Sequence, residues 1–141
     1  MKKANVFKAT VLAAGLAPAM GLAEVTGNVG ASNNYVWRGV TQTNDAPSIS
    51  GGVDYAHESG FYAGTWLGNV DFATAPANSL PGYEQDYYLG FSGGEDFTYD
   101  VGYIWYDYPL AEAADFGEVY AGVGFKMFSL SINYTTNSEV E

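Results

Sequence analysis

From Val25 onward, apolar and polar side chains alternate with period two, the spacing that sends successive residues to opposite faces of a strand. In the first segment Val25, Gly27, Val29, Ala31, Tyr35 and Trp37 share one face, and Thr26, Asn28, Ser32, Asn34 and Arg38 the other. Ile49, Val53 and Tyr55 then oppose Ser50 and Asp54, and Tyr62, Trp66, Val70 and Phe72 oppose Thr65, Asn69 and Asp71. The pattern continues with Tyr83, Tyr87, Leu89 and Phe91 against Glu84, Asp86 and Ser92. Phe97, Tyr99, Val101, Tyr103 and Trp105 face away from Thr98 and Asp100. Val119, Ala121, Val123, Phe125 and Met127 oppose Glu118, Tyr120 and Lys126, and Leu130, Ile132 and Tyr134 oppose Ser129, Ser131, Asn133 and Thr135. The alternation predicts seven strands, most of about ten residues, the length of a tilted transmembrane β-strand.

The connections alternate too. "HESG" (57–60), "SGGED" (92–96) and the region of Lys126–Phe128 are tight, whereas 73–82 and 109–117 are longer, with proline or glycine breakers, and the first connection, around 43–47, is intermediate and also carries proline. Short turns on one rim and long loops on the other predict an antiparallel up-and-down transmembrane β-barrel. Aromatic residues mark the strand ends as an interfacial girdle would: Tyr35 and Trp37 close the first strand, Tyr55 the second and Phe72 the third, Tyr83 opens the fourth and Trp105 closes the fifth. Glycines within strands (52, 64, 68, 90, 102, 122 and 124) allow curvature and close approach of neighbours. A secreted β-sandwich also alternates, but its outer face should be rich in Lys, Glu and Thr, and here the polar face is thin, acidic and poor in lysine.

The amino terminus changes the composition. Residues 1–23 combine a basic start (Lys2, Lys3, Lys8), a short apolar run and small residues, with Gly21 and Ala23 placed for cleavage before Glu24. This reads as a secretory signal peptide, which makes 24–141 the mature part. Arg38 and Lys126 then stand alone against all sixteen acids, a net charge of −14. Nucleic acid is an unsuitable partner for such a chain. The absence of cysteine excludes disulfide staples and thiol chemistry.

The stretch "SNNYVWRGVTQTNDAPSISGGVDYAHESGFYAGTWLGNVDF" (32–72) resembles the TorF-type porins, a proteobacterial family also described as the conserved hypothetical Gcw_chp. "YEQDYYLGFSGGEDFTYDVGYIWYDYP" (83–109) and "EVYAGVGF" followed by "LSINY" resemble the family's next hairpins. The resemblance implies an exported outer-membrane barrel and a pore, and brings no catalytic residues. Seven is an odd strand count, whereas bacterial single-chain barrels close with an even one, and "TTNSEVE" lacks a terminal aromatic residue. The expectation is therefore the N-terminal portion of a larger barrel of ten to twelve strands.

With the polar face turned to the lumen, Arg38, Asp54, Asp71, Glu84, Asp86, Asp100, Glu118 and Lys126 point inward, Arg38 pairing with an acid such as Asp54. Fixed carboxylates around a watery passage favour cations. The expected function is passive diffusion of small hydrophilic solutes or cations across the outer membrane, with membrane lipid as the surrounding partner and homo-oligomerisation left open. The alternative is a non-conducting barrel with a structural, adhesive or ligand-binding role. Enzymatic readings are thin: His57 and Ser59 share a turn without a matching acid, and Glu84 with Asp86, two apart, make a poor metal site unaided. Gly122 and Gly124 precede no helix and form no phosphate loop. No cofactor or metal is expected.

Overall fold

The structure, a computed structural model, describes residues 23–71 and 82–137. The expected leader (but for Ala23), the strand-closing Phe72 and most of the loop after it lie outside the described residues. Among the described residues there are nine strands: β1 (Glu24–Ser32), β2 (Val36–Trp37), β3 (Val40–Thr41), β4 (Ser48–Ala56), β5 (Phe61–Val70), β6 (Gly82–Gly94), β7 (Phe97–Asp107), β8 (Phe116–Phe125) and β9 (Phe128–Thr135). Seven of them form one antiparallel meander in the order β1-β4-β5-β6-β7-β8-β9, and β2 with β3 makes a separate hairpin. Each of β1 and β9 is paired on one side only, so the sheet is open among the described residues and is not closed into a barrel.

Register divides the sheet into two chemically distinct faces. On one lie Val25, Val29, Val53, Leu67, Leu89, Val101, Val123 and Ile132, all exposed. The other carries Asp54, Glu84, Asp86, Asp100 and Glu118. The acids of β4, β6, β7 and β8 thus share one face, as their alternation implies. We call it the inner face.

β5 departs from the expected assignment. Tyr62 stands opposite Gly90, Trp66 opposite Asp86 and Val70 next to the Glu84 level, so these three belong to the inner face. Phe61, Ala63, Thr65, Leu67 and Asn69 take the outer one. Both faces of this strand carry large apolar residues, so period two reveals two faces without saying which is which.

Tyr62 on β5 and Tyr120 on β8 are separated by two intervening strands, roughly 14 Å along a flat sheet at about 4.8 Å per strand. Each side chain reaches over its neighbouring strand, so that the two hydroxyls lie 2.5 Å apart, and Tyr62 also donates to Asp100 at 2.5 Å. Tyrosine–glycine pairs across neighbouring strands make this possible: Tyr62 opposes Gly90, Tyr88 opposes Gly64 and Tyr120 opposes Gly102. Each ring lies flat over its glycine, where any Cβ would sit 2.5 Å or less from the phenol oxygen.

A testable consequence concerns Gly90. A methyl there meets the Tyr62 hydroxyl at 2.5 Å and the Val101 carbonyl oxygen at 2.6 Å; the second is backbone and cannot swing away. Gly90→Ala is expected to destabilise the sheet by about 1–3 kcal/mol. Gly30→Ala, with nothing within 4 Å, is expected to be neutral. Urea unfolding of the two variants, with equal losses for both, would count against this packing.

Candidate functional site

Residues 33–47 join β1 to β4, and they do not extend the first strand as the alternation suggests. The chain leaves β1 at Ser32, whose Oγ donates to the Asn34 carbonyl at 2.9 Å. It then turns back at Arg38–Gly39, between the paired residues Trp37 and Val40. Both turn residues have positive φ, 46° for Arg38 and 87° for Gly39, the combination that a tight two-residue hairpin needs. Asn44 and Asp45 are also left-handed, a conformation their short polar side chains tolerate. Internal bonds stiffen the segment: Asn34 Nδ2 donates to Asp45 at 2.7 Å, Thr41 Oγ1 to Asn34 Oδ1 at 2.7 Å, and Thr43 Oγ1 to the Ala46 carbonyl at 2.7 Å.

This strap docks on the inner face through three side-chain anchors, Tyr35, Trp37 and Arg38. The Tyr35 hydroxyl donates to Glu84 Oε1 at 2.8 Å, and its ring sits 5.3 Å from that of Trp66. Trp37 meets Tyr106 and Phe116 edge-on at 5.9 and 6.2 Å. Arg38 forks onto Glu118, with Nη1 to Oε1 at 2.8 Å and Nη2 to Oε2 at 2.6 Å, and its guanidinium carbon lies 4.1 Å from the centre of the Trp37 ring. The apolar core of Val70, Tyr106 and Tyr108, packed by Tyr35, Trp37, Ile104 and Phe116, lies beneath it. Core and acids therefore occupy the same place.

The electrostatics follow from that burial. Glu84 is 1 % exposed and Glu118 3 %. The second oxygen of Glu84 accepts from the Tyr108 hydroxyl at 2.7 Å, so both its lone-pair faces are satisfied by phenols. Burial, and next the nearby Glu84 charge, raise the Tyr35 and Tyr108 phenols above their ordinary range, which keeps them protonated as donors. The hydrogen bond to Glu118 likewise raises the Arg38 guanidinium. Asp86 is 7 % exposed, and its Oδ1 is buried without a hydrogen-bond partner. Trp66 and Tyr106 stand opposite it on the two neighbouring strands.

Of the residues expected to point inward, Glu84, Asp86, Glu118, Asp54 and Asp100 share the acidic face of the sheet. Asp54 accepts from Tyr88 and, at 3.5 Å, from Asn28; it is not the partner of Arg38. Arg38 reaches the inner face from the strap and not from β1. Asp71 lies one residue past β5, where the alternation groups it with Asn69, and its N–H donates to the Gln42 carbonyl at 2.7 Å. Lys126 sits in the β8–β9 turn with φ 54°, its Nζ 5.0 Å from the centre of the Phe125 ring. Neither belongs to the inner set.

Among the proposed girdle residues Tyr55, Tyr83 and Trp105 lie on the outer face. Tyr35 and Trp37 are on the inner one, because the chain reverses after Ser32 and alternation no longer maps onto the β1 faces. Tyr55, Phe61 and Phe91 form an outer row at the short-turn rim, with ring spacings of 6.2 and 5.3 Å, and Phe97 stacks on Phe125 there at 4.3 Å. His57 Nδ1 lies 2.9 Å from Ser59 Oγ in the exposed turn, but the same nitrogen takes the Ser59 N–H at 3.1 Å. That is a local turn bond.

The inward phenols Tyr62, Tyr88 and Tyr108 were not legible as site residues, and Tyr35 was expected in the girdle. For Tyr62 and Tyr88 the available signal was the opposed glycines at 90 and 64, which need the strand register before they point to a tyrosine.

Comparison with curated proteins and with solved structures gives no match for this chain. The model of one family, described as bacterial protein of unknown function (Gcw_chp), matches residues 16–140, which takes in every described strand and the strap. The chain belongs to the Gcw_chp family of bacterial proteins.

Proposed function

We propose that the chain forms wall of an outer-membrane β-barrel of the TorF-type porin kind, with a narrow acidic interior that favours small cations over anions. The observation that carries this reading is the inverted character of the sheet. Its outer face exposes apolar side chains from β1 to β9, including Val29 at 83 % and Leu130 at 67 %, while Glu84, Asp86 and Glu118 on the opposite face are buried. Soluble proteins rarely leave so continuous an apolar surface open, and a sandwich would cover it with a second sheet. Here the small β2–β3 sheet sits on the acidic face instead. Lipid is the solvent that suits the outer side.

Planar-bilayer recording of the full chain tests the function. Small conductance steps with a reversal potential favouring potassium over chloride are expected; anion preference would refute the acidic-lumen mechanism. A second reading, a non-conducting barrel, is favoured by the Tyr62–Tyr120 contact and the docked strap, which cover the acidic face of the sheet. Interiors filled by side chains suit barrels of about eight strands. Stable membrane insertion with no conductance would select it.

A further inference from the structure

We propose that the cavity at the short-turn rim, between the β6–β7 and β8–β9 turns, holds the headgroup of an ethanolamine phospholipid. Such a site presupposes the membrane reading above, which it deepens by naming the lipid. Phe97 of β7 pairs with Phe125 of β8, which sets the two turns side by side. A cavity of about 330 Å³ opens there, within the range of small-molecule sites. Glu95 and Asp96 line it from one turn and Lys126 from the other. Among the described residues none of these three forms an ion pair, although acids and base line the same cavity. Opposite charges held apart across one opening suit a zwitterion, each of whose poles meets its unlike partner. Thr98 and Ser129 also line the opening, and hydroxyls can donate to a phosphate.

The apolar residues beside the cavity point to a lipid and not to a soluble zwitterion. Met127 is 87 % exposed, Phe128 74 % and Phe97 70 %. Phe97, Phe125 and Phe128 stand opposite one another on the outer face of three adjacent strands. Acyl chains can lie along them while the headgroup sits at the rim, the level at which aromatic rings collect in membrane proteins. A free amino acid would leave this surface bare. The carboxylates choose ethanolamine over choline, because a primary ammonium brings three N–H donors and a quaternary one none. Quaternary groups are held by free aromatic faces, and the Phe125 ring is already engaged by Lys126 Nζ at 5.0 Å and stacked on Phe97 at 4.3 Å. An anionic lipid lacking the ammonium would meet Lys126 but be repelled by Glu95 and Asp96.

Native mass spectrometry of the full chain, released from vesicles of equal parts phosphatidylethanolamine and phosphatidylcholine, provides the test. Both lipids are zwitterionic, so the vesicle's surface charge favours neither. The chain is expected to retain phosphatidylethanolamine about tenfold over phosphatidylcholine. Glu95→Gln/Asp96→Asn should bring the two lipids to parity, and Lys126→Gln should lower retention of both. All three side chains are exposed in turns, so the variants should keep the strand circular dichroism of the unmodified chain. Equal retention of the two lipids by the unmodified chain overturns the site while leaving membrane insertion intact, and so does a preference unmoved in the acid variant. Failure to float with any vesicle overturns the membrane reading and the site with it. Displacement of the bound lipid by glycerophosphoethanolamine at equal concentration would make the soluble headgroup the ligand, against the proposal.

Discussion

Leu89→Arg is expected to prevent stable insertion of the sheet into a bilayer. Leu89 lies in the middle of β6, between Ala63 on β5 and Tyr103 on β7, and half of it is exposed on the outer face. An arginine facing lipid near mid-depth costs about 2–4 kcal/mol, and near the interface about 0–1 kcal/mol. The same change on a water-facing sheet stays within about 0.5 kcal/mol. Phe97→Arg, at the start of β7 beside the short-turn rim, therefore serves as the shallow comparison. Urea titrations of both variants in lipid vesicles should show a large loss for the first and a small one for the second. Two equally small losses would remove the membrane reading, and the pore with it.

Glu84→Ala should release the strap. The substitution removes the oxygens that accept from the Tyr35 and Tyr108 hydroxyls. At about 1.5–3 kcal/mol for each hydrogen bond to a charged group, the two together cost about 3–6 kcal/mol. Relief of the like charge beside Asp86 offsets part of this, since two carboxylates on one strand face repel. Glu84→Gln keeps the shape and one acceptor oxygen, and the phenol meeting the amide can turn to accept, so its loss should be the smaller. The order expected in denaturant unfolding is Glu84, then Gln, then Ala. A double-mutant cycle with Tyr35→Phe isolates the strap anchor, with a coupling of about 0.5–3 kcal/mol for a directly bonded pair. Additive losses would mean that Tyr35 does not hold the strap through Glu84.

These two residues also show how differently the two faces are supported. Leu89 needs nothing specific from its neighbours, only a solvent in which an alkyl chain is at ease. Glu84 depends on two named phenols, one just past β7 and one on a loop 49 residues away in sequence. Tolerance should follow that division, with the outer face accepting any apolar exchange and the inner face few polar ones.

The strands themselves were legible without coordinates, because period-two alternation and turn residues are local properties. The short turns at 57–60 and 126–127, the long connection before β8, and the acids that share one face of β4, β6, β7 and β8 all follow from it, whereas the connection before β4, expected around 43–47, runs over 33–47. Alternation had no power over three other features. On β5, Tyr62 and Trp66 face the acids although Phe61 and Leu67 on the other side are as apolar, so the strand's own pattern is nearly symmetric. At Ser32 the chain breaks while its alternation continues through Tyr35 and Trp37, which hid the reversal at Arg38–Gly39. The partner of Arg38 is Glu118, 80 residues on, and not Asp54 on the adjacent strand.

Arg38 thus marks the boundary between the two kinds of knowledge. That a lone arginine among sixteen acids lies on the acidic face of the sheet follows from charge and solvation, which each residue carries with it. Which acid it grips depends on the order and register of seven strands, and on a hairpin folded back over their acidic face. Strand order and folding back are sums over many residues far apart in the chain, so no local pattern contains them.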